Sequence, residues 1–228
     1  MDSVVLEDCR AVAKRAADII AAAARDAVAA RGRFVVALSG GRTPWTMLRC
    51  LAHETLPWAS VHIVQVDERV APAGDPERNL TRLRQSLEDA PLRDDRLHAM
   101  PVELDEPKLA IDRYAATLES LAGSPAVLDL VHLGLGSDGH TASLVPGDAV
   151  LEINDSDVAF AGPYQGTKRM TLTYPIINRA RRILWVVTGA EKSTALKRLC
   201  AGDREIPAGR VQNDNALLLA DRAASASP

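Results

Sequence analysis

"VLDLVHLGLGSDGHTASLVPG", Val127–Gly147, runs from an apolar stretch into a glycine-rich turn. The apolar part is short and almost free of polar residues, the pattern of a strand covered on both faces of a parallel sheet. The turn contains Gly134-Leu135-Gly136-Ser137-Asp138-Gly139, which spells the G-x-G-x-x-G of a dinucleotide-binding loop. A loop of that kind opens an uninterrupted helix and is followed by an acid about twenty residues on. Here Pro146-Gly147 arrives seven residues after Gly139, and the stretch lies in mid-chain rather than in the first βα unit. The spacing disfavours a nicotinamide or flavin cofactor. It favours a glycine-shaped wall that presents Asp138, His140 and backbone N–H groups to a ligand.

Working outward, helix and strand patterns alternate along the chain. An Ala-rich helix is expected from about Val4 to Ala30, closed by Gly32. Strands are expected at "RFVVAL", "VHIVQV", "LHAMPV", "RMTLTY", "RILWVVTG" and "NALLLAD". Helices are expected at "PWTMLRCLA", "DPERNLTRLRQSL", "PKLAIDRYAATLESLA" and "EKSTALKRLC". The alternation implies an α/β, Rossmann-like fold: a mainly parallel sheet with helices on both faces. One domain over residues 1–221 accounts for it, and the tail 222–228, "RAASASP", is expected to be disordered.

Composition narrows the partners. A net charge of −3 gives no basic footprint, and 4% aromatic residues leave little for base stacking, so no nucleic acid is expected. No apolar run is long enough to span a bilayer. The first twenty residues carry charges throughout, unlike a signal peptide. Cys9, Cys50 and Cys200 are isolated, which argues against a disulfide framework and against a zinc site. A cytoplasmic protein without a metal, a monomer or weak dimer, is the expectation.

In open α/β sheets ligands sit beyond the carboxyl ends of the strands. After "VVAL" comes Ser39-Gly40-Gly41-Arg42-Thr43-Pro44, a glycine turn feeding a helix N-terminus, the layout of an anion site. The bland alternative is a βα turn with Thr43 as the cap. After "VHIVQV" comes Asp67-Glu68-Arg69. There Arg69 suits a phosphate through its planar fork, and Asp67 suits an acceptor or an orienter of a histidine. After "RILWVVTG", Lys192 falls near a helix start, against the helix dipole, unless an anion binds there. Lys168 and Arg169 add cations before "MTLTY". Each of these charges is also compatible with a solvated surface.

Taken in order, "ALSGGRTP", "VDERVAP" with Asn79 downstream, "GLGSDGHTASLVPG", "KRMTLTYPIINRARRILWVVTGAEKS" and "IPAGRV" resemble the 6-phosphogluconolactonase family. The resemblance covers Phe34 to Val211. It implies hydrolysis of 6-phospho-D-glucono-1,5-lactone to 6-phospho-D-gluconate, in the oxidative pentose phosphate pathway, with no metal or redox cofactor. It implies His140 as the base that activates water; Asp67 and Asp138, from their places at the strand ends, are the other candidate catalytic residues. Ser39, Gly40, Gly41, Arg42, Thr43, Arg69, Gly136, Gly139, Arg169 and Lys192 would surround the phosphorylated sugar lactone. Two alternatives stand beside it. One is a sugar-phosphate isomerase or deaminase of the same fold. Those enzymes place a glutamate before the Pro-Gly where this chain has Val145, a residue expected to form an apolar wall of the pocket. The other is a non-catalytic sugar-phosphate sensing domain. That reading calls for a DNA-binding module, and the single helix before Phe34 is too little for one.

Overall fold

Ten strands organise the described part of the chain: β1 (Asp2–Leu6), β2 (Phe34–Leu38), β3 (Val61–Gln65), β4 (Asp67–Arg69), β5 (Leu97–His98), β6 (Leu130–Leu133), β7 (Val158–Tyr164), β8 (Thr167–Leu172), β9 (Ile183–Val187) and β10 (Ala216–Asp221). The computed structural model describes residues 1–226. Seven strands pair in parallel in the order β1-β10-β9-β6-β2-β3-β5. Every residue of β2, β6 and β9 is buried, which is why these segments read as unbroken apolar runs.

Successive side chains go to opposite faces. Phe34, Val36 and Leu38 join the core formed with α1 (Cys9–Arg31), α2 (Arg42–Ala52) and α3 (Asn79–Ser86). Val35 and Ala37 join the other core, with α4 (Pro107–Ala122), α5 (Tyr174–Arg179) and α6 (Ser193–Cys200). The α/β, mainly parallel architecture expected from the sequence is therefore present, with helices on both faces. The second face also carries a small antiparallel sheet, β4-β8-β7, which the apolar pattern did not reveal. Its strand β4 is three charged residues long, and β7 is interrupted by Gly162-Pro163.

Two ends of the chain differ from expectation. The long helix does not begin at Val4. Asp8 caps α1, its carboxylate accepting the N–H groups of Arg10 at 2.9 Å and Ala11 at 2.8 Å. The β-branched residues before that cap extend instead, pairing Val4 with Leu219 of β10. At the other end, Arg222–Ser225 form a short helix, α7, capped by Asp221 through the Ala224 N–H at 2.8 Å. Ala224 is buried against the core, so the expected disordered tail does not start at 222; residues 227–228 lie outside the described residues. No helix among the described residues is long and apolar enough to cross a membrane.

Two histidines in the sheet tie stability to pH. Burial holds His132 down at about 3. Burial, then the Arg96 guanidinium and His98, holds His62 at about 4. The unfolded chain binds protons near ~6.5 that the folded chain refuses. The contribution of these two histidines is thus complete above about 6.5 and is lost as the pH falls towards 4 and below. The urea midpoint should fall through this window, and His62→Asn should lose less of it than wild type; equal losses would show that His62 carries none of the effect.

Candidate functional site

The chain leaves β2 for β3 on one side and returns through β6 on the other. The loops that follow β2 and β6 therefore diverge, and a crevice opens between them at the carboxyl ends of the strands. A cavity of about 590 Å³ occupies it, within the usual range for small-ligand sites. Ser39, Gly40, Gly41, Arg42, Thr43, Asp67, Arg69, Gly136, His140, Arg169 and Lys192 all line it.

One wall is the turn Ser39–Gly41 leading into α2. The helix starts at Arg42, so Thr43 lies in its first turn rather than capping it. The Thr43 hydroxyl bonds that of Thr188, after β9, at 2.6 Å and ties two strand-end loops together. Beneath the turn, the buried His132 accepts the Ser39 N–H on Nδ1 at 3.3 Å. Gly40 has to be glycine for a steric reason: a Cβ there would fall on the Asn79 side-chain amide.

The second wall is the Asp67-Glu68-Arg69 strand, held in place by Glu68. This carboxylate is fully buried. It accepts the N–H groups of Arg69, Asn79 and Leu80 and the Gln65 amide, each at 2.8 Å. Arg78 completes it with an ion pair at 3.3 Å. Arg69 is thereby aimed into the cavity, its guanidinium donating to the Glu77 carbonyl and to Asn79 Oδ1 at 3.3 Å. Across the β4–β8 pairing, Arg69 stands opposite Arg169. Arg169 is buried, and its Nε lacks a hydrogen-bond partner. Burial lowers its proton affinity, and Asp67 opposes that shift. Lys192 comes from the turn just before α6. Arg42, by contrast, points outward and pairs with Glu191 at 3.2 Å.

The third wall carries the histidine. After β6 no helix forms; the chain turns back on itself through a Thr141–Leu144 bridge and a 3₁₀ turn at Ala149–Glu152. The G-x-G-x-x-G is thus a folded loop without the helix that a pyrophosphate needs. Within it, His140 Nδ1 meets Asp138 Oδ1 at 2.6 Å. A carboxylate there fixes the tautomer with its proton on Nδ1 and its lone pair on Nε2, on the ring that faces the cavity. Burial works against ionisation of Asp138, but the His140 ring, its backbone N–H and Tyr164 outweigh it and hold the carboxyl below its ordinary range. Gly136 makes room for this pair, because a Cβ would strike both the imidazole and the Asp138 carboxylate.

Some expected residues do other work. Asp67 does not orient the histidine; it accepts from the Ser143 hydroxyl at 2.7 Å and from the Asn79 amide at 3.3 Å. Gly139 faces away from the cavity onto Ile206, with its N–H bonded to the Gly136 carbonyl. Asp138 stands behind His140 rather than on the cavity surface. Val145 is buried and forms no wall of the cavity. Tyr164, Thr188 and Ser143 were not singled out from sequence, since a lone hydroxyl gives no pattern until the fold brings it to a partner.

A family model described as glucosamine-6-phosphate isomerases/6-phosphogluconolactonase matches residues 7–219. A 6-phosphogluconolactonase of a Nostoc species is 35% identical over 231 residues, covering 97% of this chain and 96% of that protein. The crystal structure of a 6-phosphogluconolactonase from Thermotoga maritima superposes with a TM-score of 0.86 at 26% identity, covering 96% of this chain and 98% of that one. A monomeric glucosamine-6-phosphate deaminase superposes with a TM-score of 0.85, but at 20% identity, a likeness of fold alone.

The close approach of the His140 ring to the Gly136 backbone yields a test. Gly136→Ala should fold with an unchanged circular dichroism spectrum and lower turnover of the phosphorylated lactone about 100-fold, the usual cost of misplacing a reacting group by about 1 Å. Turnover within threefold of wild type would show that the ring is not seated on that glycine.

Proposed function

The chain belongs to the glucosamine-6-phosphate isomerase/6-phosphogluconolactonase family, and we propose that it hydrolyses 6-phospho-D-glucono-1,5-lactone to 6-phospho-D-gluconate, with His140 as the base. The observation that carries this reading is the Asp138-held imidazole on the same cavity as Arg69, Arg169 and Lys192. It supplies a proton acceptor at one side and an anion site at the other.

The chemistry follows from those positions. The phosphate takes the cation-lined side, next to the free N–H groups in the first turn of α2. That grip sets the lactone carbonyl within reach of His140. The Nε2 lone pair accepts a proton as water adds to the carbonyl, and Asp138 stabilises the imidazolium that forms. The tetrahedral intermediate then expels the ring oxygen, which takes the proton back from the imidazolium. Ring opening leaves a carboxylic acid and a hydroxyl, and the acid ionises. The N–H groups of Gly136 and Gly139 are already bonded within their own loop. Charge on the carbonyl oxygen is left to the loop after β2 and to the neighbouring cations. The setting we assign to this reaction is the cytoplasm.

The deaminase reading needs a second proton-transfer group near His140 in order to open a sugar ring and move a proton between carbons. Val145 offers none. The two readings part in one experiment. The purified protein should hydrolyse the phosphorylated lactone above the spontaneous rate, and His140→Ala should lose at least about 100-fold of that excess. Ammonia release from glucosamine 6-phosphate, abolished in the same variant, would assign the chain to the other branch.

The anion site has its own test. Arg69→Ala and Lys192→Ala should each raise KM for the phosphorylated lactone about tenfold or more, the worth of a charge-assisted hydrogen bond, with a smaller effect on kcat. Neither should alter turnover of unphosphorylated gluconolactone. An equal effect on both substrates would remove the phosphate from this side of the cavity.

A further inference from the structure

Tyr164 stands at the tip of the β7–β8 hairpin, where the chain reverses through Gln165 and Gly166 with positive φ angles of 53° and 81°. Its hydroxyl donates to Asp138 Oδ2 at 3.1 Å, the oxygen that His140 does not use. The edge of its ring packs against the imidazole with centroids 5.1 Å apart at 62°. The Arg169 guanidinium carbon lies 5.2 Å from the centre of the same ring, in cation–π range. One side chain thus touches both members of the histidine–aspartate pair and a cation of the anion site.

We propose that Tyr164 is a positioning residue that locks Asp138 and His140 in their working orientation and couples them to Arg169. The inference rests on the lactonase reading only for its kinetic readouts. The physical reasoning has two parts. Asp138 sits on a loop, and its bond to His140 fixes only one carboxylate oxygen. A donor on the second oxygen stops rotation of the carboxylate and so fixes the plane of the imidazole. The second part concerns Arg169. Its Nε is unpartnered, and the aromatic face supplies an attraction that consumes none of its N–H donors. The guanidinium is thereby held in place with its donors left for an anion.

The experiment separates the hydroxyl from the ring. Tyr164→Phe keeps the ring and removes the donor. It should lower kcat about tenfold, the worth of a hydrogen bond to a charged group, with KM within twofold. The hydroxyl favours the ionised form of Asp138. In Tyr164→Phe the carboxyl should therefore titrate at higher pH by carbon-detected NMR, and the acid limb of kcat should move the same way. Tyr164→Ala removes the ring as well and should also raise KM severalfold by freeing Arg169. An Asp138 titration in Tyr164→Phe that superimposes on the wild-type curve overturns the positioning role, whatever the activity does. A displaced titration with unchanged kcat shows that the contact exists but positions nothing for the reaction, and it overturns the role as well; failure of the lactonase reading shows separately, as no hydrolysis by wild type above the spontaneous rate.

Discussion

The Glu68 carboxylate is the contact on which the anion-binding half of the cavity depends. It is fully buried, yet its two oxygens receive four N–H donors at 2.8 Å and an arginine at 3.3 Å. A buried charge is tolerated only when its lone pairs are satisfied in this way, and removing one partner of such a pair costs about 3–5 kcal/mol. Two of the donors are the first N–H groups of α3, which has no side-chain cap of its own. Glu68 therefore caps a helix eleven residues away, anchors the strand it belongs to and fixes the entry point of Asn79. Arg69 and Asp67 flank it in β4, where side chains alternate, so a rigid Glu68 means that both neighbours turn the other way, into the cavity.

Close approach of backbone to side chain fixes the rest of the site. Asn79 packs where a Cβ of residue 40 would be, and the His140 ring lies where a Cβ of residue 136 would be. The two glycines belong to loops that follow β2 and β6, adjacent strands whose chain connections run in opposite directions. The crevice between those strands is open because of topology, and it is lined by side chains from distant segments because the glycines let them lie flat on the backbone. The same G-x-G spacing in a dinucleotide fold admits a pyrophosphate; here it admits an imidazole.

The central strands and the strand-end loops were legible in the sequence because burial on both faces writes itself as apolar runs such as "RFVVAL" and "RILWVVTG". His140 and the arginines were legible because they directly follow or flank such runs. The edge strand β1 was not: Val4 and Val5 fit either element, and only Asp8 acting as a cap decides between them. The β4-β8-β7 sheet was half visible at "RMTLTY" and otherwise hidden, since three charged residues cannot show a period. Asp67 was expected as an acceptor or as an orienter of the histidine, and the fold shows the acceptor. From sequence, any aspartate at a strand end can be placed against the histidine. In the fold, Ser143 and Asn79 take up the carboxylate.

That displacement of Asp67 resolves an electrostatic difficulty. Asp67, Glu77 and Glu191 line the same cavity as the cations, and three free carboxylates would repel a phosphate. Each is weakened as an anion at this surface in a different way. Glu191 is paired at 3.2 Å with Arg42, itself almost wholly exposed. Glu77 presents its carbonyl, not its carboxylate, to Arg69. Asp67 is buried, and burial pushes its carboxyl above the usual range, while Ser143 and Arg169 pull the other way. An arriving dianion adds to the upward push, because a nearby like charge favours the neutral acid. Burial and an arriving anion thus act on Asp67 in the same direction, towards the neutral acid. The histidine–aspartate pair needs the opposite condition, an ionised carboxylate beside the imidazole. The hydrogen bonds of Asp138 to His140 and Tyr164 meet that condition by holding its carboxyl low. Asp67 on the cavity surface and Asp138 behind His140 are thus driven apart in proton affinity, by burial at the first and by the His140 ring and donated hydrogen bonds at the second, and this difference favours an anion and a general base in one crevice.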